Sequence, residues 1–202
     1  SRGYVVIAPN VRGSTGYGRA FQAMNIKQLG GGDLVDEIFG GKFMISTGYV
    51  DPKRIGITGG SYGGYMTLMA IGKTPRLWAA AVEEYGIIDW KSMYQHEDAA
   101  LQAYQKSLLG DPAADARVYR DDSPITFIRH ATAPLLVLQG DNDIRVPKEE
   151  AEQVVAILKA AGRTVDAHYY ANEGHGFTKR ENQVDALERT VTWFDRYLKG
   201  GR

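Results

Sequence analysis

The chain has 202 residues, enough for one domain with a substantial core. Its 24 basic residues balance 24 acidic ones, which argues against a nucleic-acid-binding or membrane-surface protein. It has no cysteine, which excludes a disulfide framework, a thiolate metal site and a cysteine nucleophile. In chain order, Ser1-Arg2-Gly3 reads as the tail of a helix, a basic residue followed by a glycine stop. Residues 4–9 follow as a strand, and residues 21–28 and 34–47 read as helical. Residues 54–58 form a second apolar run, with a helix expected at 66–72. A third strand is expected at 79–85 and a long helical stretch at 90–109. Residues 135–139 give a fourth strand, and 149–161 an amphipathic helix with Val154, Val155, Ile157 and Leu158 on its apolar side. A fifth strand at 167–171 precedes a last helix at 184–198, with Leu187, Val191, Phe194 and Leu198 at helical spacing. Alternating helices and continuous apolar strands predict an α/β protein, a mostly parallel sheet with helices on both faces.

In such sheets the reactive groups gather in loops at the carboxyl ends of the strands. The loop after residues 54–58 is Gly59-Gly60-Ser61-Tyr62-Gly63-Gly64. A G-x-S-x-G between strand and helix is a nucleophile elbow: glycines let the chain turn sharply and lift the serine hydroxyl off the sheet edge. The N–H groups that follow lie at a helix N-terminus, where developing negative charge is favoured. The competing reading is a Gly-rich phosphate-binding turn with an incidental serine, but the chain has no G-K-S/T ending here and no G-x-G-x-x-G spacing.

A serine hydroxyl needs a base, and the base needs an orienting acid. Of the four histidines, His96 lies in a charged helical stretch, His130 stands before a turn and His168 sits within a strand. His175 lies in the loop after the last strand with glycine on both sides, and it is the expected base. Asp141 and Asp143 both lie after the fourth strand. Asp141, beside Gly140, is read as the turn former and Asp143 as the acid, although spacing alone does not decide between them. The order Ser, Asp, His is that of an α/β-hydrolase triad.

Five phrases occur together: Asn10-Val11-Arg12-Gly13-Ser14-Thr15-Gly16-Tyr17-Gly18, the Ser61 elbow, Asp122-Ser123-Pro124, Gly140-Asp141-Asn142-Asp143-Ile144-Arg145-Val146-Pro147 and Gly174-His175-Gly176-Phe177. With Arg2-Gly3-Tyr4-Val5-Val6 ahead of them, they make the whole chain resemble the catalytic domain of the prolyl oligopeptidase family of serine peptidases, in wording most like its acylaminoacyl-peptidase-like members. The resemblance implies Ser61 as nucleophile, Asp143 as acid, His175 as base and the Tyr62 N–H as one oxyanion donor. It implies that Arg145 binds a substrate carbonyl one residue before the cleaved position, and that Ile87 and Val146 line the pocket for the residue before the scissile bond. From the residues alone, Arg145 reads as a surface ion-pair partner and the two apolar residues as core.

The resemblance also implies a β-propeller and further first strands, one carrying an HGGP-like loop with a second oxyanion donor. Neither lies within the 202 residues. The hydrolase domain, 1–202, is therefore expected to be N-terminally incomplete, with a vacant strand position between residues 4–9 and 54–58. An additional segment, a second copy, or closure of the two strands would have to fill it. The Tyr17 hydroxyl is a candidate substitute for the missing donor.

The expected function is a serine hydrolase that cleaves peptide or ester bonds through an acyl-enzyme, acting on short peptides, acyl-amino acids or small esters. It needs no cofactor and no metal, and neither nucleic acid nor membrane is an expected partner. A small carboxylesterase, or a non-catalytic fragment serving as a structural or binding module, are the alternatives. A homo-oligomer and a cytoplasmic location are further expectations, the latter from the absence of cysteine and of any apolar run of transmembrane length.

Overall fold

The computed structural model of the chain describes residues 2–200. Among them, four parallel strands pair in chain order: β1 (Gly56–Gly60), β2 (Ala80–Glu84), β3 (Leu135–Gly140) and β4 (Val165–Tyr170). Every residue of β3 is buried, as a central strand covered on both faces requires. Alternate residues divide between two cores. Ala81, Leu135 and Val137 join Tyr65, Leu68, Ala151, Val154 and Leu158, from helices α3 (Tyr62–Lys73) and α7 (Lys148–Ala160). Ala80, Val82, Leu136 and Leu138 meet Ala186, Trp193 and Leu198 of helix α8 (Arg180–Leu198) on the other face.

Helix α8 is rotated from the expected face. Trp193 and Ala186 are buried, whereas Leu187 is 64 % exposed. Trp193 combines its large apolar area with an indole N–H that donates to the Pro134 carbonyl at 3.3 Å, so it takes the inward position. The helical stretch at 90–109 is two helices, α4 (Trp90–His96) and α5 (Ala99–Leu109). Asp98 breaks it, because its carboxylate caps α5 by accepting from the Ala100 and Leu101 N–H groups. The helix expected at 21–28 is a single turn, α1 (Arg19–Gln22), followed by a 3-10 turn at Ala23–Asn25. The next helix is α2 (Gly32–Ser46), and α6 (Ala116–Asp121) follows α5.

The strand expected at residues 4–9 does not form. These residues make no sheet pairing, and Val5 and Val6 are 60 % and 84 % exposed. Apolar β-formers there have no adjacent strand to pair with. A groove of about 280 Å³ separates them from β1, lined by Tyr4, Val6, Ile7, Ile57, Phe194 and Leu198. The two segments have therefore not closed together, and β1 keeps one unpaired edge among the described residues. The helix tail expected at Ser1-Arg2-Gly3 begins outside the described residues. Arg2 pairs with Asp195 of α8, which also accepts from the Tyr4 hydroxyl at 2.8 Å.

Candidate active site

Ser61 stands between β1 and α3 with φ +56°, a left-handed conformation that non-glycine residues rarely adopt. Close approach around it explains two glycines. A Cβ on Gly59 would lie 2.6 Å from the Gly63 carbonyl carbon, and one on Gly64 would lie 2.8 Å from the Glu84 oxygen. Gly63 itself faces open space, so the motif's last glycine is not required by packing. The Ser61 N–H donates to the Glu84 carbonyl at 2.9 Å, which ties the turn to β2.

The Ser61 hydroxyl lies 2.9 Å from His175 Nε2, and His175 Nδ1 lies 2.9 Å from Asp143 Oδ2. With Nδ1–H donating to the carboxylate, Nε2 is left to accept from the serine. The Asp143 side chain is fully buried. Its other oxygen accepts from the Arg145 and Val146 N–H groups at 2.8 and 2.9 Å. Asp143 is thus both the carboxylate facing the histidine and the former of its own turn. Asp141 is not the turn former expected: its N–H donates to the Tyr170 carbonyl, and its carboxylate stands 3.8 Å from Lys148.

The histidine loop rests on Glu173, which is 2 % exposed. Its carboxylate accepts from the Thr178 N–H and hydroxyl, the Lys179 N–H and the Asn182 amide, at 2.7 to 3.0 Å. Burial pushes this acid up, but the four donors more than reverse it and hold it at about 2. Glu173 was not picked out from the sequence; an acid directly before Gly174-His175 in a turn was the available signal. The other histidines stand apart. His96 is exposed, with Nδ1 2.8 Å from the Ser92 carbonyl, and His130 is an exposed residue ending a 3-10 turn. His168 leaves β4 toward Asp185 and Tyr170, with its basicity lowered by burial and then by the Arg189 charge.

Tyr62 opens α3, so its N–H belongs to the first helical turn, where no intrahelical acceptor exists. Its hydroxyl donates to Asp33 at 2.5 Å, and Asn25 donates to the same oxygen at 3.0 Å. Burial, then the Asp33 charge, keep the phenol far from ionisation. Ser61 and Tyr62 open onto a cleft of about 410 Å³, which Ile87, Trp90, Arg145 and Val146 also line. Ile87 and Val146 are buried at 5 % and 2 % exposure, whereas Arg145 is exposed and makes no ion pair among the described residues. Residues 11–15 of the glycine-rich loop form part of the rim, where Arg12 is clamped by Asp36 at 2.6 and 2.8 Å. Tyr17 is not part of the lining; it is 56 % exposed, and its hydroxyl accepts from Asn10 at 2.7 Å. Among the described residues there is no cluster of three or more metal-ligating side chains, and no helix is long and apolar enough to cross a membrane.

A serine raised on a strand–helix turn, above the carboxyl edge of a parallel sheet with helices on both faces, places the chain in the α/β-hydrolase fold class. Within that class it belongs to the prolyl oligopeptidase family, which it matches over residues 1–201. It is 32 % identical to dipeptidyl aminopeptidase BIII of Pseudoxanthomonas mexicana over 210 residues, covering 100 % of this chain and 30 % of the relative. It is also 32 % identical to the acylamino-acid-releasing enzyme of Arabidopsis thaliana, covering 98 % of this chain and 27 % of that one. The solved structure of a puromycin-hydrolyzing peptidase from Mycobacterium tuberculosis superimposes with a TM-score of 0.90 at 33 % identity, over 96 % of this chain and 29 % of that one. The chain spans less than a third of the length of these relatives.

Proposed function

We propose that residues 1–202 carry the catalytic centre of a serine peptidase working through an acyl-enzyme. The observation that carries the reading is the unbroken relay from Ser61 through His175 to the buried Asp143, each step 2.9 Å. In this reading His175 Nε2 takes the serine proton as Ser61 Oγ attacks the carbonyl. Asp143 holds the imidazole tautomer and stabilises the imidazolium that forms. The Tyr62 N–H donates to the oxyanion, and His175 then protonates the leaving amine. Water, activated by the same imidazole, releases the acyl group.

The substrate class we infer is a short peptide or acyl-amino acid. Ile87 and Val146 shape the pocket for the residue before the scissile bond, and the unpaired Arg145 donates to the carbonyl one residue earlier. The unpaired edge of β1 supports a hydrolase domain that is completed by one more strand or by a second copy. A cysteine-free chain fits a cytoplasmic site of action.

A fluorophosphonate probe tests the reading. It is expected to label the protein stoichiometrically, and Ser61→Ala, still folded by circular dichroism, is expected to take no label. Hydrolysis of acyl-amino-acid anilides should fall on the order of 10⁶-fold in kcat in the same variant. Labelling that survives in Ser61→Ala, or a wild-type protein that reacts with neither probe nor anilide, would refute it.

A further inference from the structure

The Asp143 carboxylate has a neighbour that the reaction outlined above leaves without a task, Gln139 near the end of β3. Gln139 is fully buried. Its Nε2 faces three oxygens of one turn: the Gly140 and Val146 carbonyls, each at 3.1 Å, and Oδ2 of Asp143 at 3.5 Å. Its Oε1 has no hydrogen-bond donor among the described residues. Turning the amide over would set that oxygen against three acceptors, so its N–H side is held toward the turn.

The turn over residues 140–146 carries Asp143, Arg145 and Val146. One set of bonds stitches it to the end of β4 and the histidine loop. The Asp141 N–H donates to the Tyr170 carbonyl at 3.0 Å, the Asn142 N–H to the Glu173 carbonyl at 2.9 Å, and the Asn142 amide to the Ala171 carbonyl at 3.1 Å. Gly140 is so close to that loop that a Cβ on it would lie 2.5 Å from the Gly174 carbonyl oxygen. The second set belongs to Gln139, which ties the first carbonyl of the turn to the last with the reacting carboxylate between them. Both oxygens of Asp143 are then engaged: Oδ1 by the Arg145 and Val146 N–H groups, Oδ2 by His175 and the amide edge of Gln139.

A buried amide with an unsatisfied oxygen is costlier than an apolar side chain of similar shape, unless its N–H groups are needed. Here both N–H groups go to the turn whose geometry sets the Asp143–His175 bond. We propose that Gln139 is a positioning residue for Asp143: its N–H groups hold the 140–146 turn so that Oδ2 meets His175 Nδ1, and they keep the carboxylate from rotating away as the imidazolium forms. The proposal rests on the reading of Asp143 as the orienting acid of the relay.

Gln139→Met fills the site with an unbranched apolar chain and removes both donors. In a variant that keeps the wild-type circular dichroism, kcat on an acyl-amino-acid anilide is expected to fall on the order of 10- to 100-fold, with KM little changed. Gln139→Glu keeps the shape but donates only while it is protonated. Its kcat should therefore fall as pH rises and that proton leaves, a limb the wild type lacks and that shape alone does not produce. A third readout needs no turnover. The Nδ1 proton of His175, assigned by its loss in His175→Gln, is expected to be resolved in the proton NMR spectrum of the wild type and lost to exchange in Gln139→Met. Wild-type kcat in Gln139→Met, no falling limb in Gln139→Glu, or an unchanged Nδ1 proton overturns the proposal. If Gln139→Met does not fold, the limb in Gln139→Glu decides. An inactive wild type whose Nδ1 proton is still lost in Gln139→Met would sink the catalytic reading and leave Gln139 its role.

Discussion

The ring of Tyr85 lies edge-on against the imidazole of His175, with centroids 4.9 Å apart and planes at 62°. Tyr85 also meets Phe177 at 5.6 Å and 85°, so the ring that follows β2 is wedged against two residues of the histidine loop. The contact is held in spite of backbone strain, since Tyr85 has φ +42° without being glycine. A Cβ on Gly60 would come within 2.8 Å of the Tyr85 hydroxyl, so the space this ring occupies depends on the glycine before Ser61.

Replacing this wedge should loosen the imidazole without removing any reacting group. Tyr85→Ala is expected to lower kcat on the order of 10- to 100-fold, as a misplacement of about 1 Å does, while KM changes little. Steady-state kinetics on an acyl-amino-acid anilide checks it. An unchanged kcat would show that the Asp143 and Ser61 bonds alone position His175.

Arg145 should matter only to substrates that present a carbonyl to it. Arg145→Ala is expected to reduce kcat/KM for peptide-like anilides by about 10- to 150-fold, the equivalent of roughly 1.5–3 kcal/mol for a charged donor. p-Nitrophenyl acetate lacks that carbonyl and should be nearly unaffected. Equal losses on both substrates would return Arg145 to a structural role.

Glu83 carries a pH signature. It is fully buried in β2, Oε2 accepts from the Gly86 N–H at 2.8 Å and Oε1 has no partner among the described residues. Burial raises it from the ordinary 4.5 to about 8, with Gly86 opposing and Glu84 assisting. The folded state therefore holds this proton more tightly than the unfolded chain. Its contribution to stability is complete below about 4.5 and is lost as pH rises through about 8. Glu83→Gln should flatten that slope, so melting temperatures measured at pH 5 and pH 8 should differ less in the variant. Parallel pH profiles would sink the assignment.

The free edge of β1 should be visible in hydrogen exchange. Backbone groups buried without partners cost about 1–3 kcal/mol each, so an edge beside an apolar groove is a weak point unless another strand covers it. At low concentration, amides of residues 56–60 are expected to exchange faster than those of β3, which is hydrogen-bonded on both sides. Protection that appears as concentration rises would identify a second copy as the cover. Protection equal to β3 at low concentration would contradict the expectation.

Much of the candidate site was legible because its chemistry is local. Gly59-Gly60-Ser61 announces a strained turn, and glycines on both sides of His175 announce an exposed imidazole. Asp143 was not separable from Asp141 by spacing, because the two share one loop and differ in which carboxylate faces His175. Residues 4–9 show the limit of apolar pattern: it reports a preference for extended backbone but not whether a neighbouring strand is there to pair with. The break inside 90–109 was hidden by reading it as one helix, although Asp98, a strong N-cap residue before Ala99-Ala100-Leu101, marked it. In α8 the spacing fixed the helix but not its rotation, which Trp193 and its indole N–H decided.

Ser61 and His175 are 114 residues apart in the chain, and His175 is 32 from Asp143, yet all three meet within hydrogen-bond reach. Each arrives at the end of a different strand of one sheet: the Asp143–His175 pair needs β3 beside β4, and the Ser61–His175 pair needs the sheet complete from β1 to β4. A nascent or partly unfolded chain thus carries Ser61 without the imidazole beside it. On the proposed function, reactivity toward a fluorophosphonate becomes a gauge of complete sheet assembly, absent until β4 has docked.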